Sequence, residues 1–257
     1  MFEILNQYGA ITLDEMRNIR LMNRIDTKFV TTVPMLERLL LLAKDDYLVQ
    51  ETEGARISPY YTLYFDTEDC AMYNRHEAGH LSRQKVRVRS YLNAGLNFLE
   101  VKTKNNHGRT KKKRIVADGF DPENISIFNV QSSMFSEFLQ TYLGYDRRRL
   151  SGQVENRFDR ITLVNNARTE RLTIDTNLRF HNISTDCRRT MDNLVVIELK
   201  RDGLQSSPIL PLLSKLRIFP HGFSKYCIGS ALTNEALRRN RIKPRLHSVE
   251  KIIKSKL

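Results

Sequence analysis

The chain has 257 residues, 40% of them hydrophobic and 9% aromatic, so it is long and apolar enough to bury a core. Its 42 lysines and arginines outnumber 29 aspartates and glutamates. The resulting net charge of +13 favours an anionic partner, such as nucleic acid, an acidic membrane or a phosphorylated metabolite. The composition argues against a membrane-spanning chain, because no apolar run approaches the ~20 residues of a transmembrane helix.

Hydrophobic periodicity predicts an α+β fold built on an antiparallel sheet, because most neighbouring strands are joined by short turns. The first half is predicted to form a helix at 13–22, a strand at 24–30, a helix at 35–43, strands at 60–66, 84–92 and 97–104, and a short strand near 114–116. The second half is predicted to form a helix at 132–143, strands at 156–164, 170–177 and 194–200, and helices at 208–217 and 224–239. We expect one domain over residues 1–240 and a basic C-terminal tail over residues 241–257.

Several of these strands carry charged residues on one face and apolar residues on the other. The alternating charged residues are Arg24, Asp26 and Lys28; Lys85, Arg87 and Arg89; Glu100, Lys102 and Lys104; and Glu198 and Lys200. Successive residues of a strand point to opposite faces. If the strands form one curved sheet, the cations therefore converge on a single cavity, and such a cavity suits a polyanion.

The alternative is that each ionic face simply meets water, which is common for a sheet that is covered on one side. Two features favour the cavity: the cations lie in mid-strand, and several strands share the pattern. In addition, Lys85, Arg87 and Arg89 repel one another on one face unless an anion lies among them. We therefore favour the cavity over the solvated face.

Two other basic segments have a simpler explanation. The run from Arg109 to Arg114 follows a polar stretch, 105–108, which favours a solvent-facing loop over a phosphate-binding patch. The tail over 241–257 is interpreted first as solvated, with electrostatic contact to acidic lipid or polyphosphate as the alternative.

Familiar catalytic motifs do not occur in the sequence, which has no GxSxG elbow, Walker A loop or HExxH motif. The six histidines have no recurrent metal-ligand spacing, and His76 and His80 are interpreted as a surface pair. A site made of arginines, lysines and a few carboxylates would act through charge rather than through a nucleophile.

The localisation prediction rests on the start of the chain and on its cysteines. The start, MFEILNQYGAITL, lacks the basic and apolar regions of a secretory signal. Cys70, Cys187 and Cys227 form no CxxC pair and leave one thiol unpaired in any disulfide scheme. We therefore expect a cytoplasmic protein with buried thiols and without a transmembrane segment of its own.

Eight short motifs appear in one order along nearly the whole chain. They are R-I-D-T-K-F at 24–29, Y-F-D-T at 64–67, K-V-R-V-R at 85–89, L-E-V-K-T-K at 99–104, F-D-R at 158–160, R-L-T-I-D-T at 171–176, I-E-L-K at 197–200 and F-S-K-Y at 223–226. Each motif is weak alone. The ordered set resembles the polyphosphate polymerase domain of the vacuolar transporter chaperone family, within the triphosphate tunnel metalloenzyme superfamily.

The resemblance implies an antiparallel eight-stranded β-barrel with flanking helices, whose lumen is a basic tunnel. It also implies a metal-dependent transfer of the ATP γ-phosphate to a growing polyphosphate chain. By motif, the implied catalytic phosphate ligands are Lys28, Arg87, Arg89, Lys102, Arg160, Arg171 and Lys225. Further substrate-binding residues are expected to be Arg24, Lys85, Lys104 and Lys113, with the register of Lys113 open by one residue.

Glu198 is the implied ligand of Mn²⁺ or Mg²⁺, and its alternative role is a structural ion pair with Lys200 or a neighbouring arginine. The chain departs from the polymerases just before the F-S-K-Y motif, where they carry a second lysine. Residues 219–222 stand there instead, so that contact is either lost or made by His221.

Two rivals remain open. A tripolyphosphate or nucleoside-triphosphate hydrolase on the same fold typically begins with a Glu-x-Glu-x-Lys strand, and this chain places Arg24 at the first acidic position, which favours the polymerase. A non-catalytic module could instead hold polyphosphate, inositol phosphates or RNA. We expect no nucleic acid, because the strands offer no ladder of stacking aromatics.

The expected substrates are thus ATP and polyphosphate. The resemblance is also compatible with an integral-membrane partner that receives the polymer, at the inner face of the membrane.

Overall fold

A computed structural model describes residues 3–17, 19, 24–203 and 205–254. Within these residues the strands are β1 Gly9–Thr12, β2 Arg24–Thr32, β3 Tyr47–Glu51, β4 Ser58–Thr67, β5 Arg83–Tyr91, β6 Leu96–Lys104, β7 Thr110–Val116, β8 Leu150–Asn165, β9 Glu170–Asn182, β10 Arg188–Met191 and β11 Leu194–Asp202. The helices are α1 Leu13–Arg17, α2 Val33–Ala43, α3 Ala71–Glu77, α4 Ser133–Tyr142, α5 Ile209–Lys215, α6 Lys225–Thr233 and α7 Lys243–Lys254. None of the described helices is long and apolar enough to cross a membrane.

Eight strands form one continuous antiparallel path in the order β2-β11-β9-β8-β4-β5-β6-β7. This confirms the predicted α+β fold on an eight-stranded antiparallel sheet. Three short strands extend the path: β3 pairs with β8, β1 pairs in parallel with β3, and β10 pairs with β9.

The sheet curls strongly on itself. In a flat sheet, β2 and β6 would lie about 29 Å apart, because six strand spacings of about 4.8 Å separate them. Besides burial and Arg87, however, the charges of Glu198 on β11 and Lys28 on β2 act on the pKa of Lys102 on β6. The two ends of the sheet therefore face each other across a common interior.

Apolar side chains cover the outer face of the curled sheet. Helices α2 and α5 pack on β2, β8, β9 and β11, where Phe29 and Ile197 meet Leu36 and Leu213. Helix α4 packs its Phe135 on the outer face of β4, β5 and β6. The apolar half of each alternating strand is thus buried outside, which leaves the charged half to line the interior.

Helices α6 and α7 lie on the inner side of the sheet and close part of it. Tyr226, Val249 and Leu246 pack with Val196 of β11 in one buried cluster. Gly229 lets α6 approach β9, since a Cβ atom there would lie 2.5 Å from the Phe180 ring. This close approach fixes the start of α6 at the charged interior.

The structure corrects several sequence-based boundaries. The first helix ends at Arg17, and the basic run predicted as a loop is most of β7, which begins at Thr110. The predicted helix at 224–239 ends at Thr233. The predicted basic tail over 241–257 contains α7, whose residue Val249 is fully buried, so this helix packs against the rest of the fold through its apolar face. Part of the first predicted helix and the last residues of the tail lie outside the described residues.

Candidate functional site

The charged face of each strand lines the interior, and the ladder registers show which residues are neighbours. Lys28, Glu198 and Thr173 form one cross-strand row on β2, β11 and β9. On the other side of the interior, Arg87 and Glu100 are opposite each other, as are Lys85 and Lys102. We call the inner faces of β2, β11, β9 and β8 the paired wall, and those of β5, β6 and β7 the cationic wall.

On the paired wall, each carboxylate contacts a cation. Glu198 lies 2.7 Å from the Lys200 ammonium through Oε2 and 3.6 Å from the Lys28 ammonium through Oε1. Asp26 lies 2.6 Å from Arg24. This wall therefore holds its side chains in place by internal ion pairs before any substrate arrives.

Asp175 is the most deeply buried of these carboxylates. Arg160 donates to it through Nε at 2.6 Å and through a terminal nitrogen at 2.8 Å, and Lys225 at the start of α6 also contacts it. Burial alone would raise the pKa of Asp175, but Arg160 and Lys225 hold that pKa far below its usual range. In the same way, Lys28 and Lys200 outweigh burial and hold the pKa of Glu198 well below its usual range.

The cationic wall has a single carboxylate on its three strands. Glu100 is fully buried, lies 2.7 Å from Arg87 and 2.9 Å from Lys112, and these cations with Arg89 outweigh burial and lower its pKa to about 2. The inward-facing cations that share this wall are Arg83, Lys85, Arg87, Arg89, Lys102, Lys104, Lys112 and Arg114. One carboxylate cannot balance them, so the wall carries a large excess of positive charge.

Arg89 shows this excess most clearly. Its side chain is buried, yet its Nε has no hydrogen-bond partner among the described residues. The guanidinium carbon lies 5.7 Å from the centre of the Tyr60 ring and 5.9 Å from that of Phe158, so aromatic faces provide its surroundings. A buried donor without an acceptor is costly, and an anion in the interior would satisfy it.

Two lysines of the cationic wall form no ion pair with a carboxylate in the part of the chain that the structure describes, and their pKa values are lowered. Lys85 donates to the Ser224 hydroxyl at 2.8 Å, and burial together with neighbouring cations lowers its pKa to about 8. Lys102 faces the interior from β6, and burial followed by Arg87 lowers its pKa to about 7. A phosphate between these ammonium groups would raise both pKa values again.

The start of α6 brings the F-S-K-Y motif to the interior. Ser224 caps the helix by accepting from the Cys227 backbone N–H, and Lys28 donates to the Phe223 carbonyl at 3.2 Å. The resemblance left open whether His221 makes a further contact. Its Nε2 lies 3.2 Å from the Ser248 hydroxyl of α7.

The structure brings most predicted site residues to this interior and leaves one outside it. Lys113 pairs with Val101, whose side chain belongs to the outer core, and the Lys113 ammonium lies 5.4 Å from the Tyr142 ring. Its predicted role as a substrate-binding residue does not fit this position, because alternation brings Lys112 and Arg114 inward instead. Arg171 lies at the edge of the paired wall, where it donates to the Met16 carbonyl at 3.0 Å.

Sequence reasoning placed Lys200 on the charged face and left the inward position of Lys112 and Arg114 open, but it did not assign Asp175 to the site. Asp175 lies four residues from Arg171 on β9, so strand alternation was a sufficient signal for it. Lys112 and Arg114 lie in a run of cations that has no apolar residue to mark the faces. Only the pairing of β7 with β6 identifies which of these cations point inward.

A divalent ion fits this interior only together with substrate. Among the described residues, no group of three or more His, Cys, Asp or Glu side chains could hold an ion by itself. Mg²⁺, however, commonly takes one or two carboxylates and completes its shell with phosphate oxygens and water. Glu198 could offer Oε1, which lies 3.6 Å from Lys28, whereas Oε2 lies only 2.7 Å from Lys200. The neighbouring Thr173 hydroxyl is buried and has no hydrogen-bond partner among the described residues.

Comparison with known proteins identifies a family. The family model of the VTC domain, the domain of the vacuolar transporter chaperone family, matches residues 23–234. No curated protein sequence matches the chain.

Solved structures with a similar fold are distant. The Hippeastrum protein HpAC1, an adenylyl cyclase candidate with a dominant triphosphatase activity, is 15% identical with a TM-score of 0.48, over 85% of this chain and 99% of that chain. An adenylate cyclase candidate from Bacillus halodurans is 13% identical with a TM-score of 0.48, over 79% and 96%. The PH1819 protein of Pyrococcus horikoshii is 11% identical with a TM-score of 0.43, over 79% and 93%. At this distance, none of the three carries weight in assigning a function.

Proposed function

The chain belongs to the VTC domain family, and on that premise we propose that it is a metal-dependent polyphosphate polymerase. It transfers the γ-phosphate of ATP to the end of a growing polyphosphate chain in the basic interior of the curled sheet. In enzyme terms it is an ATP–polyphosphate phosphotransferase of the polyphosphate kinase type.

One observation carries the proposal, namely the excess of cations on the cationic wall. Among the described residues, Lys85, Arg89 and Lys102 form no ion pair with a carboxylate, and the buried Nε of Arg89 has no acceptor there. A polyphosphate chain presents ionised oxygens at every phosphorus and can satisfy several of these groups together. A neutral or singly charged ligand would leave most of the wall uncompensated.

The chemistry requires little covalent help from the protein. An oxygen of the terminal polyphosphate attacks the γ-phosphorus, the bond from that phosphorus to the bridging oxygen breaks, and ADP leaves with the bridging electron pair. The attacking oxygen is already ionised, so no general base is needed. Alignment and charge neutralisation then account for most of the rate.

The residues have distinct expected roles. Arg87, Arg89 and Arg160 suit the transferring phosphate, because a planar guanidinium can grip two oxygens. Lys28, Lys102, Arg171 and Lys225 complete the expected set of phosphate ligands, with Lys102 on the side of the polyphosphate chain, while Arg24, Lys85 and Lys104 contact phosphates farther along the chain. Glu198 would hold Mn²⁺ or Mg²⁺, and such an ion supplies charge to the phosphate oxygens.

The state of Asp26 supports a polymerase over a hydrolase. A triphosphatase must activate water, which benefits from a free carboxylate near the phosphates. Here Asp26 lies 2.6 Å from Arg24, so this carboxylate is engaged in an ion pair rather than free to orient water. The hydrolase remains the second candidate, and the non-catalytic binding module is the third.

Incubation of the purified protein with ATP and Mn²⁺ tests the proposal. We expect ADP and long polyphosphate to form faster than free phosphate. Arg89→Ala should lower polymer formation strongly, whereas Arg179→Ala, which removes an exposed arginine of β9, should not. Stoichiometric free phosphate without polymer would assign a triphosphatase. Tight polyphosphate binding without ADP under several metals would leave only the binding module.

The proposal extends to the surroundings of the enzyme. A cytoplasmic protein at the inner face of a membrane could deliver polymer to an integral-membrane partner. Fractionation of cells that express the tagged chain, followed by crosslinking, tests this part separately from the enzymatic activity. Recovery only in the soluble fraction, without a membrane protein attached, would contradict it.

A further inference from the structure

The inner face of the cationic wall changes character at one end. There the inward positions of β5, β6 and β7 are Tyr91, Leu96, Phe98 and Val116, which we call the apolar rim. Leu96 and Val116 are each 47% exposed, although both lie on the face where the rest of the wall is charged. Apolar groups exposed inside a charged cavity indicate a ligand with an apolar part.

The rim continues the row of phosphate-binding arginines. Arg89 is directly opposite Phe98 in the ladder and lies two residues, about 7 Å, before Tyr91 on β5. Arg114 lies with its guanidinium carbon 4.4 Å from the centre of the Phe98 ring. A phosphate held by Arg89 therefore has an aromatic surface on one side and the remaining cations on the other.

The aromatic rings form a connected group that extends from the arginines to the exposed rim. Tyr60, which contacts Arg89 and Arg160, lies 5.0 Å from Tyr91 between ring centres. Tyr91 in turn meets Phe98 edge-on at 6.0 Å. Their packing against one another makes the platform rigid, so little ordering is required when a planar ligand stacks on it.

We propose that the apolar rim binds the nucleobase of the donor nucleotide. This inference rests on the proposed function, because it assumes that a nucleoside triphosphate places its phosphates on Arg89 and the cations beyond it. A planar base matches the combination of aromatic rings, exposed aliphatic groups and an adjacent guanidinium. Continuity with the phosphate-binding row favours this occupant over a protein segment, since no protein segment carries a triphosphate at its end.

The rim also predicts how bases are selected. Its members offer aromatic and aliphatic surface, and the described residues of the rim include no amide or carboxylate that could read the edge of a base. Selection must then follow stacking area rather than hydrogen bonding. We expect ATP and GTP to bind about equally and CTP to bind more weakly.

Titration calorimetry in the presence of Mn²⁺ tests the rim. The probes are the β,γ-imido analogues of ATP, GTP and CTP, which cannot donate the γ-phosphate, and inorganic tripolyphosphate, which has no base. Tyr91→Ala and Phe98→Ala should each weaken the ATP analogue about tenfold, as expected when a stacking surface is lost. The same variants should bind tripolyphosphate with an affinity within about twofold of the wild-type value, and Tyr91→Phe should bind the ATP analogue as tightly as wild type.

The controls separate a base site from a change in folding. The double variant Leu96→Ser/Val116→Ser alters only exposed side chains and should lower affinity for the ATP analogue, whereas Ile127→Ser changes an exposed apolar residue elsewhere and should not. Equal losses for the ATP analogue and tripolyphosphate, or no loss for either, would overturn the rim as a base site. So would a preference for CTP.

The outcome is also distinguishable from a failure of the proposed function. If no polymer forms but the variants still bind the ATP analogue selectively more weakly, the base site is supported and the polymerase activity is contradicted. If polymer forms and the variants show no selective loss for the nucleotide, only the base site is contradicted. Failure to bind either probe would overturn both.

Discussion

The two walls of the interior use the same residue types in opposite ways. On the paired wall, Asp26, Glu198 and Asp175 each contact a cation, and Asp175 holds Arg160 through two hydrogen bonds. On the cationic wall, Glu100 is the single carboxylate among the inward-facing cations. The paired wall is preorganised by its own ion pairs, and the cationic wall carries uncompensated positive charge that can bind an anion.

This difference assigns separate tasks to the walls. Preorganised side chains lose little entropy when substrate binds and keep the reacting phosphate aligned. Uncompensated cations bind polyanions tightly but tolerate many positions along a chain, which suits a polymer that must move after each transfer. Substitutions on the paired wall should therefore affect the catalytic rate and stability, and those on the cationic wall should in addition affect affinity.

The largest effect is expected at Glu198. Glu198→Gln removes the charge that would hold the metal ion, so polymer formation should fall by about 100-fold or more. Polyphosphate affinity should stay the same or rise, because Lys28 and Lys200 are released to bind phosphate. Activity assays, polyphosphate titration and Mn²⁺ binding followed by electron paramagnetic resonance check the three parts.

Asp26→Asn is the matched control for this prediction, since Asp26 is a second carboxylate of the paired wall already neutralised by Arg24. It should retain most of the activity. If Glu198→Gln turns over normally and Asp26→Asn does not, the metal ligand is Asp26 and the assignment of Glu198 is wrong.

The next effect compares one arginine from each wall. Arg160→Ala leaves Asp175 buried with only Lys225 as its partner, and breaking such a pair costs about 3 kcal/mol of unfolding free energy. Arg89→Ala removes a buried donor that has no acceptor, so it should leave stability unchanged or raise it. Urea unfolding of both variants, with Arg179→Ala as the exposed control, checks this contrast.

Activity measurements on the same pair of variants sharpen the comparison. Arg160→Ala should lower kcat more than it raises KM, whereas Arg89→Ala should also weaken polyphosphate binding. Equal destabilisation by the two variants would show that Arg89 has a structural partner in solution, and the two walls would then not differ as described.

Much of this arrangement was predictable from the sequence because strand alternation is a strong physical constraint. Valines between Lys85, Arg87 and Arg89 assign the faces of β5 without further information. The same argument places Lys102 on β6 and Lys28 on β2. Family resemblance then implied that the strands form one antiparallel eight-stranded barrel with a basic interior, which alternation alone does not determine.

The failures occurred where the sequence pattern carries no such contrast. Residues 110–114 are almost entirely cationic, so only the end of β7 near 114–116 was predicted and its faces could not be assigned. The register of Lys113 was left open by one residue, and the pairing with Val101 turns Lys113 outward. The basic composition of 241–257 concealed α7, although Ile242, Leu246 and Val249 have helical spacing and are buried. In both segments the high charge predicted exposure to solvent, whereas strand pairing in the first and apolar packing in the second determine the structure.

A smaller effect is expected from Lys102 on the cationic wall. Lys102→Met keeps the length of the side chain and removes its charge, so KM for polyphosphate should rise about tenfold with little change in kcat, as for the loss of one charge-assisted contact. Lys111→Met is the matched control, because Lys111 lies on the opposite face of β7 and is exposed. A fall in kcat without a change in KM would place Lys102 at the reacting phosphate instead.

The smallest effect is a pH dependence that belongs to the cationic wall. In the free protein, burial and nearby cations hold the pKa of Lys85 at about 8, whereas an unfolded lysine titrates near its usual value of 10.5. Between these two values the unfolded chain binds more protons, so the contribution of Lys85 to stability rises with pH in this window and is lost as pH falls through 8. The groups that set this pKa are, in addition to burial, Cys227, Lys28, Arg83 and Arg87.

Bound tripolyphosphate should reverse the dependence, because an anion beside Lys85 favours the charged ammonium and raises its pKa. Binding then takes up protons, and the increase in melting temperature caused by tripolyphosphate should shrink as pH rises from 7 to 9. In Lys85→Met the increase in melting temperature should shrink less over the same pH range, and in Lys111→Met it should shrink as much as in wild type. Identical pH profiles for wild type and Lys85→Met would mean that Lys85 does not change its protonation state between pH 7 and 9, and the pH dependence would then not originate from this residue.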